Sequence, residues 1–180
     1  LPKPLAMEDI FTLVYEAEPA AALTAKTTDG RVVGYCFAPT ALSALWIRSV
    51  AHGHLIKWLW RWLTGRYGFG LYPVKIILQN KLAFFRSAFT PGKAADARIL
   101  SIAVAPEFRG RRIASRLMAA ALAYFADRRV RLVRLEVRPD NAPAIAVYRK
   151  MGFTFYGTTS DSQGDWLIML KEIEMERDYV

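Results

Sequence analysis

The pattern of apolar and polar positions is clearest between residues 99 and 126, where the spacing of a strand gives way to the spacing of a helix. Residues 99–104 form a short apolar run, which is typical of a buried strand, and Pro106 ends it because proline has no amide to donate to a sheet. Beyond a basic turn, apolar side chains recur at helical spacing, at Ile113, Leu117, Ala120, Ala121, Tyr124 and Phe125. The pattern predicts a buried strand, a turn and a helix over residues 113–126.

The turn between them, Arg109-Gly110-Arg111-Arg112, has the properties of an anion site. The first amides of a helix lack partners within the helix, and the helix dipole makes that end partly positive. Gly110 lets the backbone approach a ligand, and the arginines add charge. These features favour a phosphate or pyrophosphate, although a basic turn that contacts only solvent is an open alternative.

The same reading divides the rest of the chain into helices and strands. Residues 7–16 have the apolar spacing of a helix face, and residues 21–28 and 31–37 are strand-like runs joined by Asp29-Gly30, which suits a tight antiparallel hairpin. The later elements are a strand at 131–137, a turn at 139–141, a helix at 142–151 ended by Gly152, a strand at 153–158, a polar loop at 159–165 and a strand at 166–173. This order predicts an α+β architecture.

Length and composition predict one domain spanning residues 1–180, because 180 residues with 53% apolar content suffice for a sizeable core. Cys36 cannot form an internal disulfide, and its apolar neighbours predict a buried structural thiol, with a reactive thiol as the alternative. No signal peptide or membrane-length apolar run is present, which predicts a cytoplasmic location. The chain begins at Leu1 and not at Met, so we expect a trimmed form of a longer product.

The formal charge of +9 is concentrated in one segment, since no Asp or Glu occurs between Gly30 and Ala95. Within it, residues 41–89 show two apolar helix faces around a glycine-rich loop, which predicts a helical insertion. Four interpretations are open: helices on an anionic membrane surface, a surface for an acidic partner, a cover over the substrate cleft, or core helices with a solvated cationic face.

Two other kinds of site are disfavoured. His52 and His54 have no carboxylate or thiol nearby, so we predict a polar loop and no metal. Cations and aromatic residues alone are nonspecific, so we predict no specific nucleic-acid partner. The sequence does not indicate an oligomeric state.

From Ile99 to Ile173 the chain resembles the GNAT superfamily of acyl-CoA N-acyltransferases. The resemblance lies in Ile102-Ala103-Val104-Ala105-Pro106, in the turn Arg109–Ala114 and in the run Leu135–Phe153, and it is closest by motif to ribosomal-protein N-terminal alanine acetyltransferases. It implies a mixed α/β, GNAT-like fold: a splayed, mostly antiparallel central sheet flanked by helices, with the insertion at 41–89. Acetyl-CoA is the implied co-substrate, bound in the gap of the sheet.

The resemblance also implies which residues bind acetyl-CoA. The strand at Ile102–Val104 would contact the pantetheine arm, and the turn after it and the start of the next helix would hold the pyrophosphate. Asn141 would touch the cofactor, and the same side chain could also cap the helix that follows it. The implied set is Ile102, Ala103, Val104, Arg109, Gly110, Arg111, Arg112, Ile113, Ala114, Ser115 and Asn141. Arg112 departs from the family, which commonly has glycine there. A positive φ at Arg112 would strain the turn, whereas a negative φ would let it add a phosphate contact.

The implied catalytic residues are Glu136 as general base and Tyr148 as general acid. An amine must lose a proton before it attacks a thioester, and the leaving thiolate must gain one. The alternatives are an ion pair between Glu136 and Arg134 or Arg138 at the surface, and a packing role for Tyr148.

Together these observations predict an N-acetyltransferase that moves the acetyl group of acetyl-CoA directly to a primary amine, without a metal. The acceptor is a protein N-terminus or a small-molecule amine. The alternative is a non-catalytic acyl-CoA-binding or membrane-associated module whose working surface is the insertion at 41–89.

Overall fold

The computed structural model describes residues 11–12, 14–40, 60, 95, 97–161 and 164–174. Its elements are β1 (Ala22–Lys26), β2 (Val32–Phe37), β3 (Ala97–Ile99), β4 (Ser101–Val104), α1 (Ile113–Asp127), β5 (Leu132–Val137), α2 (Ala142–Lys150), β6 (Thr154–Asp161) and β7 (Gly164–Glu172). Residues 11–12 and 14–17 are helical, which agrees with the helix predicted at 7–16 over the part described. The helices predicted within 41–89 and the histidines at 52 and 54 lie outside the described residues.

The described strands form two sheets. The first has the order β1-β2-β4 and the second has the order β3-β5-β7-β6. Neighbouring strands are antiparallel except for β3 and β5, which are parallel. The predicted α+β class, with mostly antiparallel strands and flanking helices, is confirmed.

The prediction of one buried strand over residues 99–104 is wrong, because the run divides at Leu100 between the two sheets. β3 pairs with β5 as far as Ile99 and Leu135, whereas β4 pairs with β2. Beyond Leu135 the strand β5 continues beside β7 to Val137, so β4 and the end of β5 separate. Ala103 is exposed at the separation. A gap therefore opens between the sheets after Leu100.

The main core lies where α1 packs on the first sheet and on one face of β5. A Cβ at Gly34 would come within 3.1 Å of the Ala103 carbonyl oxygen and 3.2 Å of Leu117 Cδ1, so α1 and β2 approach closely. The buried side chains of α1 are Leu117, Met118, Ala121, Tyr124 and Phe125. Ala120, predicted in the core, is exposed, and Met118 is buried in addition. Several helix rotations fit an alanine-rich sequence, so packing decides between them.

The last hairpin is longer than the sequence pattern predicts. β6 and β7 extend to Asp161 and from Gly164, so the polar loop predicted over 159–165 is mostly strand. Ser160 pairs with Asp165 in the ladder, and the Ser160 hydroxyl lies 2.7 Å from Asp165 Oδ1. Cross-strand hydrogen bonding thus extends polar strands that hydrophobic alternation does not reveal.

Two smaller predictions are confirmed. Gly152, with φ of 85°, follows the end of α2, as a left-handed position that glycine adopts without strain. Cys36 is a free, buried cysteine, and burial raises the pKa of its thiol to about 12. Within the part of the chain that the structure describes, no helix is both long and apolar enough to cross a membrane.

Candidate active site

The open edge of β4 presents backbone groups to the gap. The Ala105 amide donates to the Val33 carbonyl on β2 at 2.9 Å. Because hydrogen-bonding direction alternates along a strand, the backbone groups of Ile102 and Val104 point to the opposite edge. Arg109 Nε donates to the Val104 carbonyl at 3.3 Å. No other described strand pairs with this edge, so the backbone groups of Ile102 can bind an extended ligand, while Arg109 occupies the Val104 carbonyl.

The turn after β4 leads into a helix start that has no side-chain cap. Arg112 is the residue before α1, and its side chain makes no capping hydrogen bond. The amides of Ile113, Ala114 and Ser115 have no acceptor within the helix because they are its first residues, and the helical bonds begin with the Arg116 amide, which donates to the Arg112 carbonyl at 3.0 Å. Amides in this arrangement, next to a positive helix end, suit a diphosphate.

Arg112 has φ of 60° and ψ of 16°, which answers the question raised by its replacement of the family's glycine. This left-handed conformation costs an L-residue roughly 1–2 kcal/mol. Gly110 also has a positive φ, of 77°. Two positions of the turn, 110 and 112, thus have the positive φ that glycine adopts freely, and only position 110 is a glycine.

The three arginines of the turn lie differently. Arg109 is bonded to β4, as described above, while the Arg111 guanidinium lies over the Phe108 ring, 5.1 Å from its centroid. Arg109, Arg111 and Arg112 are all exposed. Positive charge therefore surrounds the start of α1, and the assignment of these side chains to a phosphate stays a prediction.

Glu136 lies near the end of β5, on the sheet face opposite the main core. The odd-numbered residues Val133, Leu135 and Val137 are buried in that core, so strand alternation places Glu136 on the other face. Its Oε1 accepts from Arg134 Nη2 at 2.5 Å and from Arg98 Nη1 at 3.3 Å. The side chain of Glu136 is 32% exposed. The ion pair with Arg134 considered from the sequence is present.

Arg138, the other partner considered for Glu136, contacts the last hairpin. Its guanidinium lies over the Trp166 ring, 4.0 Å from the centroid, and donates to the Asp165 carbonyl at 3.1 Å. Arg98 is a partner of Glu136 that sequence reasoning missed. The only signal for it was the possible parallel register of Arg98 with Arg134, which requires knowing that β3 and β5 are neighbours.

Tyr148 projects from α2 into the main core beside the gap. It is 7% exposed, and its ring meets Phe153 edge-on at 6.2 Å. Burial and the nearby Cys36 thiol raise the pKa of the Tyr148 hydroxyl to about 12. Cys36, whose thiol acts on Tyr148, belongs to β2 and is paired with Ile102 of β4. The Tyr148 hydroxyl remains protonated at neutral pH.

Asn141 caps α2, because its Oδ1 accepts from the Ala144 amide at 3.2 Å. The cap fixes the helix that carries Tyr148. Contact between Asn141 and a cofactor stays a prediction. In the described ranges, no group of three or more His, Cys, Asp or Glu side chains could hold a metal ion.

A groove of about 550 Å³ lies between β1 and α1. Neither Glu136 nor Tyr148 lines it, whereas Arg111 and Ile113 of the predicted diphosphate site do. Its walls are Leu23, Thr24, Ala25, Lys26, Thr27, Val33, Phe108, Arg111, Ile113, Arg116, Leu117 and Ala120. We place the candidate site at the gap, because β4 and β5 separate there and β5 carries Glu136, the predicted base.

The described strands form two sheets that separate beside the uncapped start of α1. The model of the acetyltransferase (GNAT) family matches residues 3–153, so the chain belongs to this family and is an N-acetyltransferase. Members of the family use acetyl-CoA as the acetyl donor. The residues at the gap fit such a donor. The edge of β4 suits the amide-rich pantetheine arm, and the free amides at the start of α1 suit the diphosphate.

Among known proteins, the chain is 30% identical to the [ribosomal protein bS18]-alanine N-acetyltransferase of Salmonella typhimurium, over 76% of this chain and 94% of that protein. Naa20 of Chaetomium thermophilum, solved with a bisubstrate analogue, has a similar fold with a TM-score of 0.60 at 20% identity, covering 94% of this chain and 78% of that chain. The NatB acetyltransferase complex, solved with CoA and MES, contains a chain with a TM-score of 0.56 at 14% identity, covering 92% and 81%.

Proposed function

We propose that the protein acetylates the α-amino group of a polypeptide, with an N-terminal alanine as the first acceptor to test. The support is its similarity to a ribosomal-protein alanine N-acetyltransferase over 94% of that protein's length. A small-molecule amine is the competing acceptor. That similarity carries the choice of acceptor, and the separation of β4 from β5 beyond Ile99 and Leu135 supports the site of the donor.

The donor side of the gap is formed by β4 and the start of α1. We assign the pantetheine arm to the β4 edge, at Ile102, Ala103 and Val104, and the diphosphate to the turn and the amides of residues 113–115. Extended backbone pairs readily with an open strand edge, and the helix start favours an anion. Asn141 fixes the position of α2 on the other side of the gap.

Glu136 is assigned as the base. Its carboxylate takes a proton from the acceptor ammonium, directly or through one water, and the neutral amine then attacks the thioester carbonyl. A positioned base of this kind contributes about 10²–10⁴-fold to a rate. The acceptor consequently reaches the thioester from the face of β5 that carries Arg134 and Glu136.

Tyr148 is assigned as the acid. When the tetrahedral intermediate collapses, the carbon–sulfur bond breaks and the Tyr148 hydroxyl gives its proton to the departing thiolate. The attacking nitrogen loses its second proton through water to the Tyr148 phenolate, which leaves the neutral amide, free CoA and a regenerated phenol. Because the pKa of Tyr148 is about 12, the phenol is protonated across the physiological range. The acetyl group passes directly from sulfur to nitrogen, so no covalent enzyme intermediate is needed.

The test is an acetyl-transfer assay with the full chain, acetyl-CoA and three acceptors. These are a peptide that begins with alanine, the same peptide with a blocked N-terminus, and an amino sugar. We expect a mass gain of one acetyl group on the free peptide and none on the blocked peptide. Acetylation of the amino sugar alone would contradict the polypeptide assignment, and no transfer despite calorimetric CoA binding would contradict the catalytic one.

A further inference from the structure

Glu136 is held by two buried arginines that come from neighbouring strands. The parallel register of β3 and β5 places Arg98 beside Arg134, and strand alternation puts Arg134 and Glu136 on one face. Their side chains are only 10% and 9% exposed, compared with 32% for Glu136. The carboxylate thus lies at the accessible end of a largely buried cluster.

Both guanidinium contacts fall on the same carboxylate oxygen, Oε1, at 3.3 Å from Arg98 and 2.5 Å from Arg134. Guanidinium groups are planar and rigid, and their charge-assisted hydrogen bonds are directional. Rotation of the carboxylate away from this position would break both contacts and remove a negative charge from two buried cations, which is unfavourable. The contacts therefore fix the direction of Oε2 as well.

We propose that Arg98 and Arg134 are positioning residues for acetyl transfer, which hold Glu136 so that Oε2 receives the proton of the acceptor amine. The inference rests on the proposed role of Glu136 as the base. A purely structural role, in which the cluster only joins β3 to β5, predicts a different outcome. Loss of a structural contact lowers stability, whereas loss of positioning lowers turnover in protein that is still folded.

The experiment compares Arg98→Met, Arg134→Met and the charge-retaining variants Arg98→Lys and Arg134→Lys. Arg138→Met is the matched control, because Arg138 lies on the same face but is bonded to the Trp166 and Asp165 side of the hairpin. Steady-state kcat and KM are measured below the unfolding temperature of each variant, which circular dichroism establishes. Calorimetry reports acetyl-CoA affinity separately.

We expect each methionine variant to lose at least about tenfold in kcat, because small misplacements of a catalytic group cost up to about a hundredfold. KM for acetyl-CoA and CoA affinity should change less than about twofold. The lysine variants should recover part of kcat, since they restore the charge but not the planar geometry. Arg138→Met should retain wild-type kcat.

Glu136→Gln separates this inference from the proposed function. With Glu136→Gln already present, Arg134→Met should cause no further loss of kcat, because there is no base left to position. If Glu136→Gln alone retained full activity, the assignment of the base would fail. If Glu136→Gln were slow but folded methionine and lysine variants kept wild-type kcat, only the positioning role would be overturned.

Discussion

The two faces of β5 bury their side chains in opposite chemical surroundings. One face packs Val133, Leu135 and Val137 into the apolar core that also contains Tyr148. The other face presents Arg134 and Glu136, which form an ionic cluster with Arg98 from β3. The alternation of a strand with a period of two thus separates these surroundings within a few residues.

This difference suits the roles proposed above, in which Tyr148 donates a proton and Glu136 accepts one. Apolar burial raises the pKa of Tyr148 to about 12, because desolvation disfavours the charged phenolate. The ionic face instead holds an acceptor group at a partly exposed position. A proton donor and a proton acceptor can therefore operate on the two sides of one strand without exchanging a proton with each other.

The largest expected effect comes from removing the hydroxyl on the apolar face. Tyr148→Phe should lower kcat about 10²–10⁴-fold, the usual contribution of a general acid, while CoA affinity measured by calorimetry stays within about twofold. Tyr124→Phe is the matched control, because Tyr124 is also buried but bonds to Glu18 away from the gap. It should lower stability and leave kcat unchanged in folded protein. Equal kcat values for the two variants would remove Tyr148 from its role.

A smaller effect is expected on stability at high pH. The folded state raises the pKa of Cys36 from 9.0 to about 12 and that of Tyr148 from 10.0 to about 12. The stabilisation is complete below pH 9 and is lost as the pH rises toward 12, at up to about 1.4 kcal/mol per pH unit for each group. Urea unfolding of Cys36→Ala should show less loss between pH 9 and 10 than the wild type. Parallel curves would show that the thiol does not contribute.

The two faces of β5 differ in how much of their structure could be predicted from the sequence alone. The helix from Ile113, the cap at Asn141 and the stop at Gly152 follow from local rules, because helix ends are set by neighbouring residues. The apolar face of β5 likewise follows from alternation. Local signals therefore predict most of the element that carries Tyr148.

The ionic face could not be predicted as well. The contact between Arg98 and Glu136 joins residues 38 positions apart, and it depends on the division of one apolar run at Leu100. A run of six apolar or small residues has the same pattern whether it pairs with one sheet or two. The catalytic and cofactor-binding assignments, the single domain over residues 1–180 and the cytoplasmic location stay predictions.

The smallest expected effect concerns the strained turn at the donor side. Arg112→Gly should stabilise the fold by roughly 1 kcal/mol or less, because glycine relieves the left-handed strain but loses more entropy on folding. Arg129→Gly is the control, since Arg129 has a similar φ of 56° at the other end of α1. Chemical denaturation should show similar gains for both, and only Arg112→Gly should change CoA affinity. Destabilisation by Arg112→Gly would indicate that its side chain contributes more than its strain costs.

The most direct measurement is a double-mutant cycle on the rate of acetyl transfer in a single turnover, with wild type, Glu136→Gln, Tyr148→Phe and the combined variant, each saturated with acetyl-CoA. We predict that each single variant is slowed at least about a hundredfold and that the combined loss is less than the product of the two, because both groups serve one transfer. Wild-type rates in both single variants, with CoA still bound, would contradict the assignment of the gap beside β5 as the site of acetyl transfer.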